Sequence, residues 1–280
     1  MRILLTGRSG QVGWELARLL PALGELTSTT RDELDLGDSD AIRRVVRDAR
    51  PQLIVNAGAY TAVDKAESEP ELAMRINGTA PGVLAEEAKR LSAMLVHYST
   101  DYVFEGTKPG AYVEDDAPNP LSVYGRTKLA GEEAIRASGC RHLVLRTSWV
   151  YGPRGKNFFL TIARKASSAE RLRVVADQRG VPTTSGFLAE KTLALLVKDA
   201  SGLLHLVPGG ETTWYEFARE IVRLMGSPSE VQPIKTGEFP AAAHRPANSV
   251  LDNRKAVAVL GVPMPDWRAL ARGVRESAEL

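Results

Sequence analysis

The sequence predicts an α/β protein with a doubly wound parallel sheet and a smaller C-terminal lobe. Three observations support this fold class. Short apolar runs alternate with longer helical patterns up to about residue 150, a glycine-rich turn follows the first run, and prolines divide the later part into short pieces. With 280 residues, of which 44% are hydrophobic and 25% charged, the chain has the size and composition of a folded globular protein.

The alternation begins at the N-terminus, where an apolar run too short for a helix covers Arg2–Thr6 and a helical pattern starts at Val12. Strands spaced by helices are typical of a parallel sheet that is covered on both faces. The further predicted elements are, in order, a strand near 26–30, a helix over 41–49, a strand over 53–56, a helix from about 71 to 91, a strand over 93–98, a helix over 128–137 and a strand over 142–146.

The pattern loosens beyond about residue 150, because prolines recur there. Residues 1–150 are therefore interpreted as the first domain. A helical pattern at 187–197 and an apolar run at 202–207 predict that residues 184–207 return to the sheet. Residues 151–183 and 208–280 are interpreted as the smaller lobe.

Composition excludes several classes of protein. Basic and acidic residues number 36 and 34, so the net charge of +2 provides no overall positive field for nucleic acid or an anionic membrane. No apolar run approaches the roughly 20 residues that cross a bilayer. The single cysteine, Cys140, forms no intrachain disulfide, and no signal-like segment precedes the first strand, so we expect a cytoplasmic protein. One cysteine and four histidines give no structural zinc cluster, whereas a carboxylate site for Mg²⁺ stays open.

A glycine-rich turn follows the first predicted strand and leads into the first helix. Gly7, Gly10 and Gly13 are spaced three apart, with Gln11 and Val12 between the last two. Glycine has no Cβ to hold a phosphate away from the backbone, and a helix N-terminus supplies free N–H groups and a partial positive charge. Since strand, turn and helix occur in the order that dinucleotide-binding sites require, we interpret residues 1–150 as an NAD(P)-binding Rossmann domain.

The end of the second predicted strand bears on which nicotinamide cofactor fits. NAD-specific sites place an acidic residue there, which accepts hydrogen bonds from the ribose and repels a 2′-phosphate. Thr30 and Arg31 occupy that place, so the sequence favours NADP(H), while the acidic pair 32–33 leaves NADH open. Asp35, followed by Leu36, is a candidate for holding the adenine amino group, and an Asp in such a loop is equally suited to capping a helix.

Three polar side chains form the candidate catalytic group. Thr100 follows the fourth predicted strand, and Tyr124 and Lys128 come later with the spacing Y-x-x-x-K. Residues i and i+4 share one face of a helix, so we expect Lys128 to lie near Tyr124 and to lower the pKa of its phenol from about 10. We expect Thr100 to donate a hydrogen bond to the carbonyl oxygen that Tyr124 protonates.

Several segments match the motifs of a known family. They are VNAGAYTAVDKAESEP at 55–70, STDYVF at 99–104, YGRTKLAGE at 124–132, RTSWVYG at 146–152, DQRGVPT at 177–183, TWY at 213–215 and RPANSVLD at 245–252. Together they resemble the extended short-chain dehydrogenase/reductases, and more narrowly their dTDP-4-dehydrorhamnose reductase branch, over nearly the whole chain.

The resemblance implies reduction of the C4 ketone of dTDP-4-dehydro-L-rhamnose to dTDP-L-rhamnose by a hydride from NADPH, with NADH as the open alternative. It implies that Tyr124 is the proton donor, that Lys128 lowers its pKa and holds the nicotinamide ribose, and that Thr100 orients the carbonyl. It further implies that the pyrophosphate lies against Gly10, Gln11 and Val12, that the rest of the cofactor lies along Ala59, Tyr60, Thr61 and Tyr98, and that the dTDP-sugar meets Thr100, Asp101, Trp149 and Val63.

Some members of this family hold a magnesium ion at a dimer contact through glutamates, and Glu15 and Glu190 match two of those positions. No glutamate of the tail 275–280 is assigned to the third of those positions. A Mg²⁺ site and a homodimer therefore both stay open, and no metal ligand is assigned. Carboxylates are mostly exposed in proteins, which favours ordinary solvated positions for both glutamates. The expected partner is a dTDP-linked nucleotide sugar.

Two alternative functions stay open. The first is another nucleotide-sugar enzyme of the same fold, an epimerase or a 4,6-dehydratase, which recycles its hydride on tightly bound NAD. The single carboxylate after Thr100 and the residues that end the second strand favour net reduction instead. The second alternative is a non-catalytic regulatory subunit that resembles the beta subunit of methionine adenosyltransferase. The presence of all three candidate catalytic side chains argues against this alternative. It does not remove it, because a motif shows that a protein could catalyse a reaction and not that it does so.

Overall fold

A six-stranded sheet forms the centre of the protein, in a computed structural model that describes residues 1–168 and 171–278. In chain order the strands are β1 (Arg2–Thr6), β2 (Glu25–Thr29), β3 (Leu53–Asn56), β4 (Met94–Thr100), β5 (Arg141–Thr147), β6 (Val150–Tyr151), β7 (Leu172–Val175), β8 (Arg179–Gly180), β9 (Thr183–Thr184), β10 (Gly202–His205), β11 (Thr212–Thr213) and β12 (Val231–Ile234).

Helices connect most of these strands. They are α1 (Gln11–Leu19), α2 (Ser39–Ala49), α3 (Val63–Ala66), α4 (Pro70–Met74), α5 (Ala80–Leu91), α6 (Val123–Ser138), α7 (Phe158–Ser167), α8 (Ser185–Val197), α9 (Trp214–Leu224), α10 (Arg254–Leu260) and α11 (Trp267–Ser277). Short 3₁₀ segments lie at Leu20–Ala22, Asp101–Val103 and Thr236–Glu238, and a π-helical segment lies at Arg75–Thr79. Within the described residues, each helix is too short or too polar to cross a bilayer.

All neighbouring strands of the central sheet run parallel, in the order β10-β5-β4-β3-β1-β2. The chain passes from β1 outward to β2 and then returns to the other side of β1 for β3, so the strand order reverses between β1 and β3. In sheets of this kind, ligands bind in the crevice outside the carboxyl ends of the strands at that reversal. The predicted fold class, a doubly wound parallel sheet of the Rossmann type, is confirmed.

Helices cover both faces of the sheet, because successive residues of a strand point to opposite sides. On one face Leu5 and Val55 pack with apolar residues of α1, α8 and α10. On the other face Leu4 and Ile54 pack with apolar residues of α2, α5 and α6. The strands are therefore buried on both sides, and polar side chains concentrate at their carboxyl ends.

The later part of the chain builds a separate apolar cluster. Its buried residues come from β6, α7, β7, α9 and α11 and include Phe217 and Trp267. Three two-stranded sheets also belong to this part, which pair β11 with β8, β12 with β7 and β6 with β9. Between these segments, α8 packs with α1 and β10 pairs with β5 at the edge of the central sheet. The division into two domains stays a prediction, and residues 169, 170, 279 and 280 of the predicted lobe lie outside the described residues.

Two helices differ most from their predictions. The helix predicted at 128–137 begins at Val123, because the Ser122 hydroxyl accepts a hydrogen bond from the backbone N–H of Gly125 over 3.1 Å and so caps it. Tyr124 and Lys128 therefore lie one turn apart on one helix, α6. The helix predicted from about 71 to 91 contains the π-helical segment Arg75–Thr79 between α4 and α5.

Candidate active site

A cleft of about 960 Å³ opens at the carboxyl ends of the central strands. Its wall combines the loops after β1, β2, β3, β4 and β5 with the first turn of α6. All predicted site residues except Gly13 line it, namely Gly7, Gly10, Gln11, Val12, Thr30, Arg31, Asp35, Leu36, Ala59, Tyr60, Thr61, Val63, Tyr98, Thr100, Asp101, Tyr124, Lys128 and Trp149.

The glycine turn leaves no room for side chains. Gly7 has a φ of +77°, and a Cβ on it would stand 2.5 Å from the backbone nitrogen of Gly58. A Cβ on Gly13 would stand 2.0 Å from the carbonyl oxygen of Gly7, so Gly13 supports the turn and does not form the cleft wall. Helix α1 begins after Gly10 without a side-chain cap, which leaves N–H groups of its first turn free of a side-chain partner beside the cleft.

Glu33 is fixed at the end of β2, beside the residues that favour NADP(H). Its carboxylate accepts hydrogen bonds from the backbone N–H of Thr30 over 2.7 Å and from the Thr30 hydroxyl over 3.0 Å. It also forms an ion pair with Arg8 over 3.3 Å. The hydrogen bond from the Thr30 backbone is the main cause of the lowered pKa of Glu33. The negative charge of Glu33 is therefore held beside Thr30 and Arg31. In the sequence, Glu33 was considered only as one of two acidic residues that follow Arg31.

Asp35 lines the cleft and does not cap a helix. It accepts a hydrogen bond from the backbone N–H of Gly37 over 2.8 Å. The cap of α2 is Asp38, whose carboxylate accepts hydrogen bonds from the backbone N–H groups of residues 40 and 41. Of the two roles that the sequence left open for Asp35, the structure thus removes helix capping and retains a place on the cleft wall.

The loop after β3 is held by Asn77, a buried residue of the π-helical segment. The Asn77 amide accepts a hydrogen bond from the Tyr60 backbone N–H and donates one to the Tyr60 carbonyl, each over 2.9 Å. The Tyr60 hydroxyl donates to Glu69 over 2.7 Å, and this bond is the main cause of the raised pKa of Tyr60. Such π-helical segments are frequent at functional sites, and this one positions residues 59–63 on the cleft wall.

Thr100 ends β4, and Tyr124 lies in the first turn of α6. The Thr100 hydroxyl accepts a hydrogen bond from the backbone N–H of Tyr102 and donates one to Asp101, each over 3.1 Å. The rings of Tyr124 and Tyr102 meet edge to face, with their centroids 6.0 Å apart. Burial raises the pKa of the Tyr124 phenol to about 12, and the hydroxyl of Thr100 opposes part of that rise.

Lys128 is buried, with 2% of its surface exposed. Its ammonium donates a hydrogen bond to the carbonyl of Tyr98 over 2.5 Å and lies 3.1 Å from Nε2 of His97. Burial lowers the pKa of Lys128 to about 8, and the charge of Glu132 opposes that shift. The prediction that Lys128 lowers the pKa of Tyr124 is therefore wrong in this structure, because the amine is bonded elsewhere and burial makes the phenol a weaker acid.

Asp101 is buried between Thr100 and the 3₁₀ segment that it begins. Burial raises the pKa of its carboxyl group to about 7. One oxygen accepts the hydrogen bond from Thr100, whereas Oδ2 has no hydrogen-bond partner in the described part of the chain. A buried carboxyl group with a free oxygen on a cleft wall is suited to bind a polar group of a ligand.

Trp149 has a left-handed backbone conformation with a φ of +45°, which is rare for a bulky residue and costly unless its surroundings impose it. Its ring stacks on Trp214 with centroids 3.6 Å apart, and a Cβ on Gly180 would stand 2.5 Å from it. Trp214 also lines the cleft, although sequence reasoning did not select it as a site residue. Both residues therefore contribute aromatic surface to the cleft wall.

Glu15 on α1 and Glu190 on α8 lie outside the cleft wall. Glu190 is exposed as expected, whereas Glu15 is half-buried and forms an ion pair with Arg18 over 3.5 Å. The pKa of Glu15 is raised, first by burial and then by the charge of Glu190, so the two carboxylates are near each other. Within residues 1–168 and 171–278, no group of three or more His, Cys, Asp or Glu side chains could hold a metal ion. The Mg²⁺ site and the dimer stay untested predictions.

Further residues line the cleft that sequence reasoning did not select. They are Ser9, Leu34, Ala57, Gly58, Ala62, Lys65, Ile76, Ser99, Tyr102, Thr147, Ser148, Val150, Gly155, Lys156 and Trp214. Thr147 ends β5 and Ser148 follows it, and a polar pair at a strand end is a signal that could have found them. Lys156 adds positive charge to the wall, whereas Lys65 forms an ion pair with Glu69 over 2.7 Å, and no local motif marks either lysine.

Replacing Gly13 with Ala should weaken NADPH binding by about tenfold or more, because a Cβ would push α1 away from the Gly7 turn. Titration with NADPH, followed by quenching of tryptophan fluorescence, measures this effect. Gly273→Ala on α11 is the matched control, since its Cβ would meet no atom within 4 Å. Wild-type affinity in a folded Gly13→Ala variant would contradict the role given to this glycine.

Replacing Asp101 with Asn should stabilise the protein at about pH 8 and have little effect near pH 4. The folded chain holds the Asp101 proton up to about pH 7, whereas the unfolded chain releases it near the ordinary value of 3.8. Stability is therefore lost as pH rises between these values, by about 4 kcal/mol if the pKa difference is fully expressed. Urea unfolding at both pH values measures the difference, and an equal effect of the substitution at each pH would refute the raised pKa.

The comparisons with known proteins agree on one family. The family model described as RmlD substrate binding domain matches residues 1–278. The dTDP-4-dehydrorhamnose reductase of Burkholderia thailandensis is 45% identical over 285 aligned positions, which cover 96% of each chain. The solved structure of the dTDP-4-dehydrorhamnose reductase of Clostridium acetobutylicum is similar to this chain, with a TM-score of 0.95 at 36% identity. The solved structure of the Bacillus anthracis enzyme, in complex with NADP, has a TM-score of 0.95 at 34% identity. Each match covers 99% of both chains. This chain therefore belongs to the dTDP-4-dehydrorhamnose reductase family and is an NADP-dependent oxidoreductase.

Proposed function

We propose that this chain reduces the C4 ketone of dTDP-4-dehydro-L-rhamnose to dTDP-L-rhamnose with NADPH. The observation that carries the proposal is the presence of Thr100, Tyr124 and Lys128 on the wall of one cleft, which also contains a glycine turn at a helix N-terminus. Membership of the family supports the nucleotide-sugar substrate, and the relative solved with NADP supports the cofactor.

The residues along the cleft fit NADPH from end to end. The first turn of α1 would hold the pyrophosphate, since its N–H groups lack a side-chain cap. Thr30 and Arg31 would meet the 2′-phosphate, Asp35 and Leu36 the adenine, and residues 59–61 with Tyr98 the nicotinamide half. When bound, NADPH supplies a hydride to C4 of the sugar.

Tyr124 donates the proton in the proposed reaction. A phenol with a pKa of about 12 keeps its proton at neutral pH, which is the state that a reduction requires. The proton passes from the Tyr124 hydroxyl to the carbonyl oxygen as negative charge develops there, and the Thr100 hydroxyl donates a hydrogen bond to the same oxygen. The Lys128 ammonium offers its remaining N–H to the nicotinamide ribose.

The substrate would lie between the end of β4 and the paired tryptophan rings. Asp101 and Val63 would contact the sugar, and Trp149, stacked on Trp214, would contact the nucleotide. The positive charge of Lys156 suits a diphosphate. Trp149 lies just before residues 151–183 and Trp214 lies within residues 208–280, and we assign these two segments to a substrate-binding lobe.

The same geometry favours net reduction over the alternatives. A 4,6-dehydratase needs further acid–base groups to eliminate water, whereas Asp101 is followed by Tyr102, whose pKa burial raises. A purely regulatory role would leave Tyr124, Thr100 and the buried Lys128 without a use. The homodimer and the cytoplasmic location stay predictions.

Oxidation of NADPH by the purified protein tests the proposal. The sugar is generated in the same vessel by the preceding dehydratase and epimerase, and the fall in nicotinamide absorbance is recorded. We expect oxidation that requires both the sugar and this protein. If none occurs although NADPH binds, the catalytic group is idle on this substrate, and a regulatory subunit or a reductase of another nucleotide sugar becomes the better assignment.

Replacing Tyr124 with Phe should lower kcat by about 100-fold or more, because it removes a general acid and keeps the ring. The Kd for NADPH should stay within about twofold of wild type, since Phe fills the same space. Steady-state rates and fluorescence titration give the two numbers. Tyr215→Phe on α9 is the control and should behave as wild type, whereas normal turnover of Tyr124→Phe would remove Tyr124 from the mechanism.

Replacing Glu33 with Gln should raise the preference for NADPH over NADH by about three- to fivefold, since it removes a negative charge beside Thr30 and Arg31 and releases Arg8. The ratio of the two dissociation constants, each from a fluorescence titration, measures the preference. Asp32→Asn removes a neighbouring charge without removing the Thr30 contacts and should change the ratio less. An unchanged ratio in Glu33→Gln would show that Glu33 has no part in cofactor selection.

A further inference from the structure

A row of buried polar side chains crosses the central sheet and ends at Lys128. Thr6 on β1, Asn56 on β3 and His97 on β4 occupy paired positions of neighbouring strands. Each of these three residues is 1% exposed. Since paired residues of neighbouring strands point to the same face of a sheet, the three side chains form one line, which Lys128 on α6 extends.

The members of this row contact each other in sequence. The Thr6 hydroxyl and the Asn56 side-chain amide form a hydrogen bond over 2.7 Å, and the other end of the amide lies 3.1 Å from Nδ1 of His97. Nε2 of His97 lies 3.1 Å from Nζ of Lys128. Each ring nitrogen of His97 therefore has one buried polar partner, so the imidazole links the sheet to the amine.

The donors and acceptors determine what His97 does for a charged Lys128. An ammonium has three N–H donors and no acceptor, so Nε2 of His97 must accept its hydrogen bond. The proton of the neutral imidazole then lies on Nδ1, and the Asn56 amide turns its oxygen toward it and its NH₂ group toward Thr6. This exchanges the amide oxygen and nitrogen of Asn56 relative to their assigned places. The two ends are nearly equal in shape, and the Thr6 hydroxyl then accepts a hydrogen bond from the NH₂ group.

The imidazole is held in the neutral state that this contact requires. Burial lowers the pKa of His97 well below its ordinary value, and the Lys128 charge adds to that effect. The other charged and titratable groups around Lys128 are Glu132 and Tyr124 on α6, Arg146 on β5, and Tyr98 and Asp101 on the cleft wall. Glu132 forms a buried ion pair with Arg146 over 2.7 Å, so its charge is already compensated.

We propose that His97 is a positioning residue that accepts a hydrogen bond from the Lys128 ammonium, keeps the amine charged, and directs its remaining N–H group into the cleft. The carbonyl of Tyr98 accepts the second N–H, which leaves one of three for a bound cofactor. This inference rests on the proposed role of Lys128 in reduction and adds the group that maintains that role.

A pH dependence follows from the contact between His97 and Lys128. Removing an acceptor from an ammonium disfavours its charged form, so the pKa of Lys128 falls below about 8. If turnover needs the ammonium, the rate declines as pH rises through this pKa. Loss of the acceptor therefore moves the basic limb of the pH–rate profile to lower pH.

Three variants of His97 separate this role from simple packing. His97→Gln retains an oxygen that reaches the place of Nε2 and accepts from Lys128. His97→Asn reaches only the place of Nδ1 and keeps a contact with Asn56 alone. His97→Leu removes both contacts but fills the space. Each is compared with wild type for kcat from about pH 6 to pH 10 and for NADPH affinity by tryptophan fluorescence, with circular dichroism to establish folding.

We expect the basic limb to move to lower pH by about one unit in His97→Leu and in His97→Asn, with kcat at about pH 9 reduced about tenfold and NADPH binding weakened in the same pH range. His97→Gln should retain most of the wild-type rate and limb. If His97→Leu does not fold, the comparison of Asn with Gln decides the question alone.

Two results would overturn the inference. The first is an equal loss of rate in all His97 variants without a shift of the basic limb of the pH–rate profile, which indicates a packing role. The second is a wild-type pH–rate profile in His97→Asn. A Lys128→Met variant distinguishes failure of this inference from failure of the proposed function. If Lys128→Met is inactive while the His97 variants are normal, only the role of His97 is wrong. If Lys128→Met turns over normally, the proposed role of Lys128 is itself wrong.

Discussion

The site depends on the register in which β1, β3 and β4 pair. Parallel pairing sets Thr6 beside Asn56 and Asn56 beside His97. The loop after β1 can therefore turn at Gly7 directly against Gly58 in the loop after β3. A slip of one residue in either pairing would move the polar row to the opposite face of its strand and break that contact. The glycine turn and the catalytic end of the cleft are thus placed by one register.

Burial favours the uncharged form of three titratable side chains in the cleft. It raises the pKa of Tyr124 and of Asp101, and it lowers that of Lys128. All three shifts have desolvation as their largest cause, because a low-dielectric wall disfavours any charged form. A bound anionic cofactor adds negative charge to this wall, which favours the ammonium of Lys128. Binding of an anionic ligand would therefore oppose the effect of burial on Lys128.

Sequence reasoning was strongest where a function depends on local spacing. The glycine turn and the Tyr124–Lys128 pair each lie within one strand-turn-helix or one helix, and the structure places both at the cleft. It was weaker where a role depends on partners brought together by folding. The contacts of Glu33 with Arg8, of Trp214 with Trp149 and of His97 with Lys128 each join separate elements. The direction of the Tyr124 pKa was missed for the same reason, since burial is a property of the whole wall.

Transfer of deuterium from NADPH that carries two deuterium atoms at C4 of the nicotinamide tests the central claim most directly. The protein is incubated with this cofactor and dTDP-4-dehydro-L-rhamnose, and the nucleotide-sugar product is analysed by mass spectrometry and proton NMR. A hydride transfer between the cofactor and the ketone predicts one deuterium per product molecule, located at C4 of the sugar. A product without the label, or with the sugar epimerised while NADPH is not consumed, would contradict the account and indicate internal recycling of the hydride.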